Sequence, residues 1–512
     1  MTNNGEVRKL TSNYSSFQRD SETYGMIPLM KSYFLDTTTP IQIFQNIGKR
    51  ASFLLESSDQ ESSWSRYSFI GVDPVYSLVE QKGVFSVNDV DGNRILQRND
   101  FQSGVKALFE YLNPKLPDHD FPFYGGAVGY IGYDAVSQFD KIPVHPDRDE
   151  DMPLVHFMVC ENLLIYDHHL KRLTVCHHAR VKEALDVERV YTDAFSIMEE
   201  LVSLASKPNQ GEVMLLPEDA SHEVDFSEIK SNYEKQQFLN DVNKIKSYIE
   251  EGDVFQAVLS QRFEKDVTIG GLDLYRVLRV INPSPYMFYL KMNDVEIIGS
   301  SPEKLVQVQD GKIEIDPIAG TRKRGKTAQE DNELAEELLE DEKERAEHYM
   351  LVDLARNDVG RVAEYGSVSV PQLMDIGRFS HVMHIISKVT GVLAPRFTSL
   401  DAVVASFPAG TVSGAPKVRA MQILNELEPT SRSIYSGAIG YIGFDGNVDS
   451  CIAIRTMVIK DGTAYVQAGA GIVADSVPES EWEETRNKAS ALIKAIQVAE
   501  AIFDKKEEQL NV

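Results

Sequence analysis

Two segments far apart in the chain share one glycine- and aromatic-rich pattern, which constrains the fold more than any other feature. Residues 123–136 read FYGGAVGYIGYDAV, and residues 434–448 read IYSGAIGYIGFDGNV. Alternating aromatic residues predict a half-buried strand, and glycine inside a strand indicates that a neighbouring backbone approaches closely. Each segment therefore predicts a strand followed by a turn. The match fits two related halves of a sheet, and it also fits convergence on a good strand sequence.

The patterns on either side of these segments divide the chain into two regions. Residues 27–98 predict short strands and turns, and residues 152–205 predict two strands followed by a helix. Residues 206–230 are polar and lack periodicity, so they form the candidate boundary. We therefore predict a β-rich N-terminal region, 1–215, and a second region, 225–512.

The second region begins with a predicted helix and strand. Ser231 and Glu234 have the spacing of a capping box. The apolar stripe that follows consists of Phe238, Val242, Ile245 and Ile249. Alternation in the predicted strand 253–262 places Gln256 on the same face as Val258. An amide on that face is either a structural group or a ligand contact.

Two predicted helices each carry a Glu-x-x-Glu pair. One follows a strand that ends at residues 469–471, and the other is a single helix predicted over residues 331–360. The side chains concerned are Glu481, Glu484 and Lys488 on the first helix, and Glu344 and Glu347 on the second. Spacings of three and four place them on one helical face, as a merely solvated face would also do. Four carboxylates from two helices suit Mg²⁺, which prefers oxygen ligands.

The net charge of −26 argues against nucleic acid and anionic membranes as partners. An anionic substrate would then need a local cation, which a metal between the two helices would supply. Arg455, Lys488 and the backbone amides at 469–471 would complete a pocket for carboxylates. No nucleophile pattern and no dinucleotide fingerprint stands out.

The cysteines and the N-terminus predict a cytoplasmic protein. Cys160, Cys176 and Cys451 have no metal-ligand spacing and are too few for a disulfide framework. The N-terminal residues are polar and lack an apolar signal core, and no run is long enough to span a membrane.

Two further segments predict neither a metal site nor a phosphate loop. His381 and His384 lie in a predicted strand, and their odd spacing places them on opposite faces, which argues against a two-histidine metal site. The segment AGTVSGAPK (409–417) lacks the Gly-Lys-Ser/Thr ending of a phosphate loop.

Together, the motifs resemble the chorismate-utilising enzyme family, and within it the component I group of the anthranilate synthases. They cover nearly the whole chain: LLES (54–57), NPSPYMFY (282–289), PIAGTR (317–322), EHYMLVDLARND (347–358), HVMHI (381–385), AGTVSGAPK (409–417), IAIRT (452–456) and AGAGIVADSVPESEWEET (468–485). The resemblance implies an α+β fold, a large two-sheet β-sandwich of mainly antiparallel strands with helices packed outside.

The implied reaction adds ammonia to chorismate and eliminates pyruvate to give anthranilate, the first committed step of tryptophan biosynthesis. Ammonia would come from a glutamine amidotransferase subunit, in an expected heterotetramer of two large and two small subunits. The alternatives are an aminodeoxychorismate or isochorismate synthase, or a non-catalytic tryptophan-binding relative. The resemblance argues against both synthases. Water-adding members of the family have a lysine where this chain has Gln256, and aminodeoxychorismate synthases typically have a lysine where it has Ala319.

The resemblance also implies roles for individual residues. Mg²⁺ would be bound by Glu347 and Glu484, with Glu344 and Glu481 beside them. The catalytic residues would be His384, near the departing ring hydroxyl, with Gln256 and Thr321. Chorismate would contact Gly320, Thr321, Tyr435, Arg455, Gly469, Ala470, Gly471 and Lys488. Tryptophan, as a feedback inhibitor, would bind Glu56, Ser57, Pro285, Tyr286 and Met287.

Overall fold

The computed structural model of the chain describes residues 13–58, 66–119, 121–149, 151–182, 184–208, 224–378 and 382–503. Most of the candidate boundary, residues 209–223, lies outside this part of the chain, as does His381. The helices are α1 (Tyr14–Ser21), α2 (Pro40–Ile47), α3 (Phe101–Leu112), α4 (Val136–Phe139), α5 (Val187–Ala205), α6 (Lys235–Glu250), α7 (Gly271–Ile281), α8 (Ala328–Glu340), α9 (Glu342–Gly360), α10 (Ser399–Ser406), α11 (Gly410–Ser413), α12 (Lys417–Leu427) and α13 (Pro478–Phe503).

The strands of this part form one hydrogen-bonded network. They are β1 (Met26–Phe34), β2 (Ala51–Glu56), β3 (Tyr67–Gln81), β4 (Val84–Asp89), β5 (Arg94–Arg98), β6 (Gly126–Ile131), β7 (Val155–Asp167), β8 (Arg172–Arg180), β9 (Lys230–Ser231), β10 (Gln256–Asp266), β11 (Tyr286–Met292), β12 (Val295–Ser301), β13 (Lys304–Gln309), β14 (Lys312–Ile315), β15 (Ile318–Lys323), β16 (Ser369–Arg378), β17 (Val382–Val392), β18 (Gly414–Ala415), β19 (Ala438–Gly443), β20 (Val448–Ile452), β21 (Thr456–Lys460) and β22 (Thr463–Ile472).

The network divides into two layers that share the long strands β3 and β7. The first layer runs β1–β8–β7–β3–β2–β11–β12–β21–β22–β10, and the second runs β5–β4–β3–β7–β6–β19–β20–β13–β14–β17. The first half of β3 pairs with β2 and the second half with β4, while β7 pairs with β6 and then with β8. A shift in register at Pro74 and Tyr76 marks the change of layer on β3. The predicted two-sheet antiparallel arrangement is confirmed, with two strands common to both sheets.

The hydrophobic core lies between these layers. Phe53 and Phe288 from the first layer join Phe157, Tyr130 and Tyr441 in one buried cluster. Side chains point alternately to opposite faces of a strand, so the next residues along β2 and β11 face outward. There Leu54 and Tyr289 join a second cluster that is completed by helices α2, α5, α7 and α13. Helices therefore cover the outer face of the first layer.

The two similar glycine-aromatic segments pair with each other as β6 and β19. Their register places Gly129 opposite Gly440, and a Cβ on either glycine would collide with the backbone of the next strand. β6 belongs to the predicted N-terminal region and β19 to the second region, and β2 and β11 join the two regions in the same way. The division into two regions at residues 206–230 remains a prediction. Strands from both regions pair with each other in the sheets.

Three local predictions are wrong. The segment predicted as strands and turns includes helix α2, which Thr39 caps and Pro40 begins. The single helix predicted over 331–360 breaks at Asp341, because its carboxylate accepts hydrogen bonds from the backbone N–H groups of Lys343 and Glu344 and starts α9. The predicted capping box is also absent, since Ser231 belongs to β9.

Of the described helices, none is both long enough and apolar enough to cross a membrane.

Replacing Gly129 or Gly440 with alanine is expected to destabilise the fold by roughly 1–3 kcal/mol, because the added methyl group meets a fixed backbone. Gly360→Ala is the matched control, since a Cβ there meets nothing within 4 Å. Urea unfolding followed by circular dichroism gives the three free energies. Equal stability of the Gly440→Ala and Gly360→Ala variants would contradict the inferred close approach.

Candidate active site

Strands from both layers and the helices α9 and α13 enclose a cavity of about 830 Å³. β10 and β22 form one wall, and β15 and β17 contribute another. The predicted metal, substrate and catalytic residues that line it are Glu344, Glu347, Glu481, Glu484, Gly320, Thr321, Tyr435, Arg455, Gly469, Gly471, Lys488, His384 and Gln256. Residues separated by up to 232 positions in sequence therefore meet in one place.

Ala470 is the one predicted substrate-binding residue that does not line this cavity. Its methyl group is buried in a cluster on the opposite face of β22, with Leu259 and Trp482. Its neighbours Gly469 and Gly471 pair with Ser260 and Val258 of β10. The backbone N–H of Ser260 and the carbonyl oxygen of Val258 form hydrogen bonds with side chains, so these two groups face away from β22. In an antiparallel ladder, this alternation directs the N–H of Ala470 toward β10 and the amides of the two glycines away from it.

The two glycines of β22 leave room for the side chains opposite them. A Cβ on Gly471 would lie 2.5 Å from Nε2 of Gln256, and one on Gly469 would lie 3.0 Å from the hydroxyl oxygen of Tyr435. Any other residue would displace these two side chains, which both line the cavity. The glycines therefore let polar groups approach the strand backbone.

The two Glu-x-x-Glu pairs face this cavity from α9 and α13. Burial, assisted by the Glu344 carboxylate, raises the pKa of Glu347, while a hydrogen bond from Gln256 opposes the shift. Burial likewise raises the pKa of Glu481, with a contribution from the charge of Glu484. Both shifts express the cost of keeping like charges in a partly dry site, which a cation would reduce.

Lys488 and Arg455 are cations of the cavity lining that act on Glu484. Lys488 Nζ lies 2.6 Å from Oε1 of Glu484 and donates to the carbonyl oxygen of Gly469 at 3.0 Å. Burial lowers the pKa of the Arg455 guanidinium, and the neighbouring Tyr435 and Glu484 oppose this. Arg455 has φ +49°, the left-handed region that side chains other than glycine rarely adopt. Such strain is common where a residue is held for function.

The donor set fits a hard divalent cation. Among the described residues, no three Asp, Glu, His or Cys side chains form a ready-made metal group. Mg²⁺ commonly takes only one or two protein carboxylates and completes its coordination with water and substrate oxygens. The facing glutamates are therefore chemically suitable, although they form no complete cage by themselves.

His384 is held by the strand that carries Gly320 and Thr321. Its Nδ1 lies 2.6 Å from the carbonyl oxygen of Gly320 and 3.1 Å from the Thr321 hydroxyl. A carbonyl only accepts hydrogen bonds, so Nδ1 carries the hydrogen and Nε2 of the neutral ring is a proton acceptor. Burial lowers the pKa of His384, and the charge of Arg455 adds to this. Burial therefore favours the neutral ring, against the opposing effect of the hydrogen bond to Gly320.

Glu303 also lines the cavity, and the sequence reasoning missed it. It follows Pro302 directly before β13, so neither periodicity nor spacing distinguishes it. Burial raises its pKa to about 7, against the influence of Thr411 and Lys488. A carboxyl group that is protonated near neutral pH can donate a proton to a leaving group. Its burial beside an acid-rich cavity is a signal that only the fold provides.

A second cavity, of about 630 Å³, contains all five residues predicted to bind tryptophan. Glu56 and Ser57 come from the end of β2, and Pro285, Tyr286 and Met287 come from the start of β11, which pairs with β2. Burial raises the pKa of Glu56. The β2–β11 pairing explains why motifs more than 200 residues apart meet.

The two cavities share part of one wall. Pro285, Pro302 and Ile318 line both of them. Beyond Pro302, Glu303 lines the first cavity and Lys304 lines the second, where Lys304 binds Glu314 at 2.7 Å. Neighbouring residues of one segment therefore face different cavities.

Comparison with known proteins places the chain among chorismate enzymes. The family described as chorismate binding enzyme matches residues 50–494. The chain is 55% identical to anthranilate synthase component 1 of Geobacillus stearothermophilus, over 96% of this chain and 98% of the relative. It is 50% identical to the protein of that name in Bacillus subtilis (strain 168), over 98% of each.

Solved structures agree with this assignment. The crystal structure of anthranilate synthase component I from Streptococcus pneumoniae matches with a TM-score of 0.73 and 40% identity, over 85% of this chain and 93% of that one. The menaquinone-specific isochorismate synthase of Escherichia coli has a TM-score of 0.67 at 17% identity, over 94% and 98% of the two chains, and shows the shared fold alone. The extent and identity of these matches establish that the chain belongs to the chorismate-binding enzyme family.

Proposed function

We propose that this chain is the large component of an anthranilate synthase, which converts chorismate and ammonia to anthranilate and pyruvate. The observation that carries the proposal is one cavity that joins facing glutamate pairs with Arg455, Lys488 and His384. It lies in a chain that is 55% identical to a relative named anthranilate synthase component 1.

Chorismate carries two carboxylates, which explains the mixture of charges in the cavity. We assign one carboxylate to Arg455 and Lys488, together with the outward amides of Gly469 and Gly471. Glu347 and Glu484 would hold Mg²⁺, with Glu344 and Glu481 beside them. The ion would neutralise the other carboxylate and attract the dianion into a chain with net charge −26.

Loss of the ring hydroxyl needs a proton donor, and elimination of pyruvate needs a proton acceptor. Glu303, with its raised pKa, suits the first role. His384, fixed by Gly320 with Nε2 unprotonated, suits the second and would accept the ring proton as aromaticity is restored. The family resemblance implies that His384 lies near the departing hydroxyl. The hydrogen bond to Gly320 favours its action in the second step.

Gln256 favours ammonia as the nucleophile. The side chain is neutral, lines the cavity and binds Glu347. Water must lose a proton as it attacks and benefits from a general base, whereas ammonia is itself a good nucleophile. Ala319 also lines the cavity and offers no amine for covalent attachment. Both residues argue against an isochorismate or aminodeoxychorismate synthase.

The remaining assignments extend this proposal. A glutamine amidotransferase subunit would supply ammonia, in a heterotetramer of two large and two small subunits in the cytoplasm. Tryptophan would inhibit by filling the second cavity. The buried Glu56 carboxylate would receive its ammonium group, and the rings of Tyr286 and its neighbours would contact the indole.

The purified chain, given chorismate, Mg²⁺ and ammonium at alkaline pH, is expected to form fluorescent anthranilate. Glu484→Gln should lower this activity by roughly 100-fold or more, since it removes a charge from the proposed metal site. Glu483→Gln, on the exposed side of the same helix, is the control. A different chorismate product, or full activity of Glu484→Gln, would contradict the proposal.

The rate is expected to fall as pH rises through about 7, when the concentration of uncharged ammonia is held constant. Glu303 has a pKa of about 7, so its proton-donating form is present below that pH and lost above it. Glu303→Gln should lower kcat and remove this decline from the profile of kcat/KM for chorismate. An unchanged alkaline decline in the variant would assign the proton to another group.

Ser57→Arg is expected to raise the inhibition constant for tryptophan by at least roughly tenfold, because the longer side chain fills the second cavity. Turnover without tryptophan should stay near that of the unmodified chain. Ser203→Arg, on the exposed face of α5, controls for the added charge. Retained inhibition in Ser57→Arg would place the tryptophan site elsewhere.

A further inference from the structure

A buried ion pair lies behind the catalytic cavity, and neither of its members lines the cavity. Arg432 and Glu428 expose only 1% and 5% of their side chains. Nε of Arg432 donates to Oε2 of Glu428 at 2.8 Å, and Nη2 donates to Oε1 at 2.7 Å. This two-point contact fixes both the distance and the plane of the guanidinium.

Arg432 contacts three residues that do line the cavity. Its Nη1 donates to the carbonyl oxygen of Val412 at 2.7 Å, and its Nη2 donates to that of Val258 at 2.5 Å. Its guanidinium also lies 5.7 Å from the centre of the Tyr435 ring. One side chain therefore ties together the segment before β18, the strand β10 and the loop that carries Tyr435.

Glu428 extends the network to a fourth residue of the cavity wall. Its Oε1 accepts hydrogen bonds from the backbone N–H of Ser260 at 2.9 Å and from its hydroxyl at 2.7 Å. The Ser260 hydroxyl in turn accepts one from Nε2 of Gln467 at 2.9 Å, and Gln467 lines the cavity. The carboxylate thus fixes β10 and a side chain of β22 together.

The N-terminal half of the chain reaches the same pair. The ring of Tyr133, which follows β6 in the chain, lies 4.6 Å from the guanidinium of Arg432. Asp134 accepts a hydrogen bond from the backbone N–H of Ser433 at 2.7 Å. Arg432 is therefore held between segments from both halves of the sequence.

We propose that Arg432 and Glu428 are positioning residues that set the geometry of the catalytic cavity through Val258, Val412, Tyr435 and Gln467. This inference rests on the proposed function, because its consequence is a change in chorismate turnover. A buried pair can often be replaced by apolar residues with little loss of stability. Directional bonds to several separate wall segments, by contrast, control where those segments lie. A shift of about 1 Å at such a wall can cost roughly 100-fold in rate.

The test compares Arg432→Lys with Arg50→Lys in the full chain. Arg50 also makes a two-point contact, with Asp73 at 2.8 and 2.7 Å, and lies in the N-terminal region, outside the catalytic cavity. Both variants are assayed at a temperature where circular dichroism shows them folded. We expect kcat for chorismate to fall roughly 10- to 100-fold in Arg432→Lys alone. The midpoint of its pH profile should stay in place, since no proton-transferring group is altered.

Ser260→Ala serves as a second, milder variant if Arg432→Lys fails to fold. It removes the hydroxyl between Glu428 and Gln467 and should lower kcat by several-fold while thermal unfolding changes little. If Ser260→Ala and folded Arg432→Lys both had the kcat of the wild-type chain, the positioning role would be overturned and the proposed function would stand. A wild-type chain that does not turn over chorismate would overturn the proposed function, and the inference with it.

Discussion

Strands β3 and β7 run through both layers of the sheet, and this sharing decides where the other strands lie. Because β3 and β7 each change pairing partners along their length, the two layers cannot slide or separate independently. The interior between them is filled by large apolar side chains from both layers. The first layer is thereby fixed in position, and β10 and β22, which form a wall of the catalytic cavity, belong to it.

The second constraint is electrostatic. Five glutamates line one cavity in a chain whose net charge is −26, and burial raises the pKa of three of them. The protein places Lys488 and the strained Arg455 beside these acids. An anionic substrate would need further positive charge there, which the proposed divalent cation would supply.

Periodicity predicted which side chains share a face, whereas the family resemblance implied residues such as Thr321, Tyr435 and His384. Alternation placed Gln256 and Val258 on one face, and helical spacing placed each glutamate pair on one side, as the structure has them. The break at Asp341 was missed because an aspartate can either continue a helix or cap the next one, and here its side chain caps α9 directly after α8 ends. Ala470 was included with its glycine neighbours, although strand alternation reverses its direction.

Other parts of the site depend on tertiary contacts that local sequence patterns do not predict. The raised pKa of Glu303 comes from its burial in the fold, and Arg432 donates hydrogen bonds to the carbonyl oxygens of Val258 and Val412, which lie in other segments of the chain. The two layers were expected, but their shared strands were not, since pairing partners along a long strand are chosen by tertiary packing. Local patterns specify faces and spacings, whereas burial and strand partners are properties of the whole chain.

The wall formed by Pro285, Pro302 and Ile318 has a thermodynamic consequence. It is common to both cavities, and two of its three residues are prolines, whose backbones are restricted. A ligand that displaces this wall from one side changes the space available on the other. Linkage then requires reciprocity: any factor by which a ligand in the second cavity weakens chorismate binding is the factor by which chorismate weakens that ligand. A cell rich in chorismate would thus need more of the second ligand to reach the same occupancy.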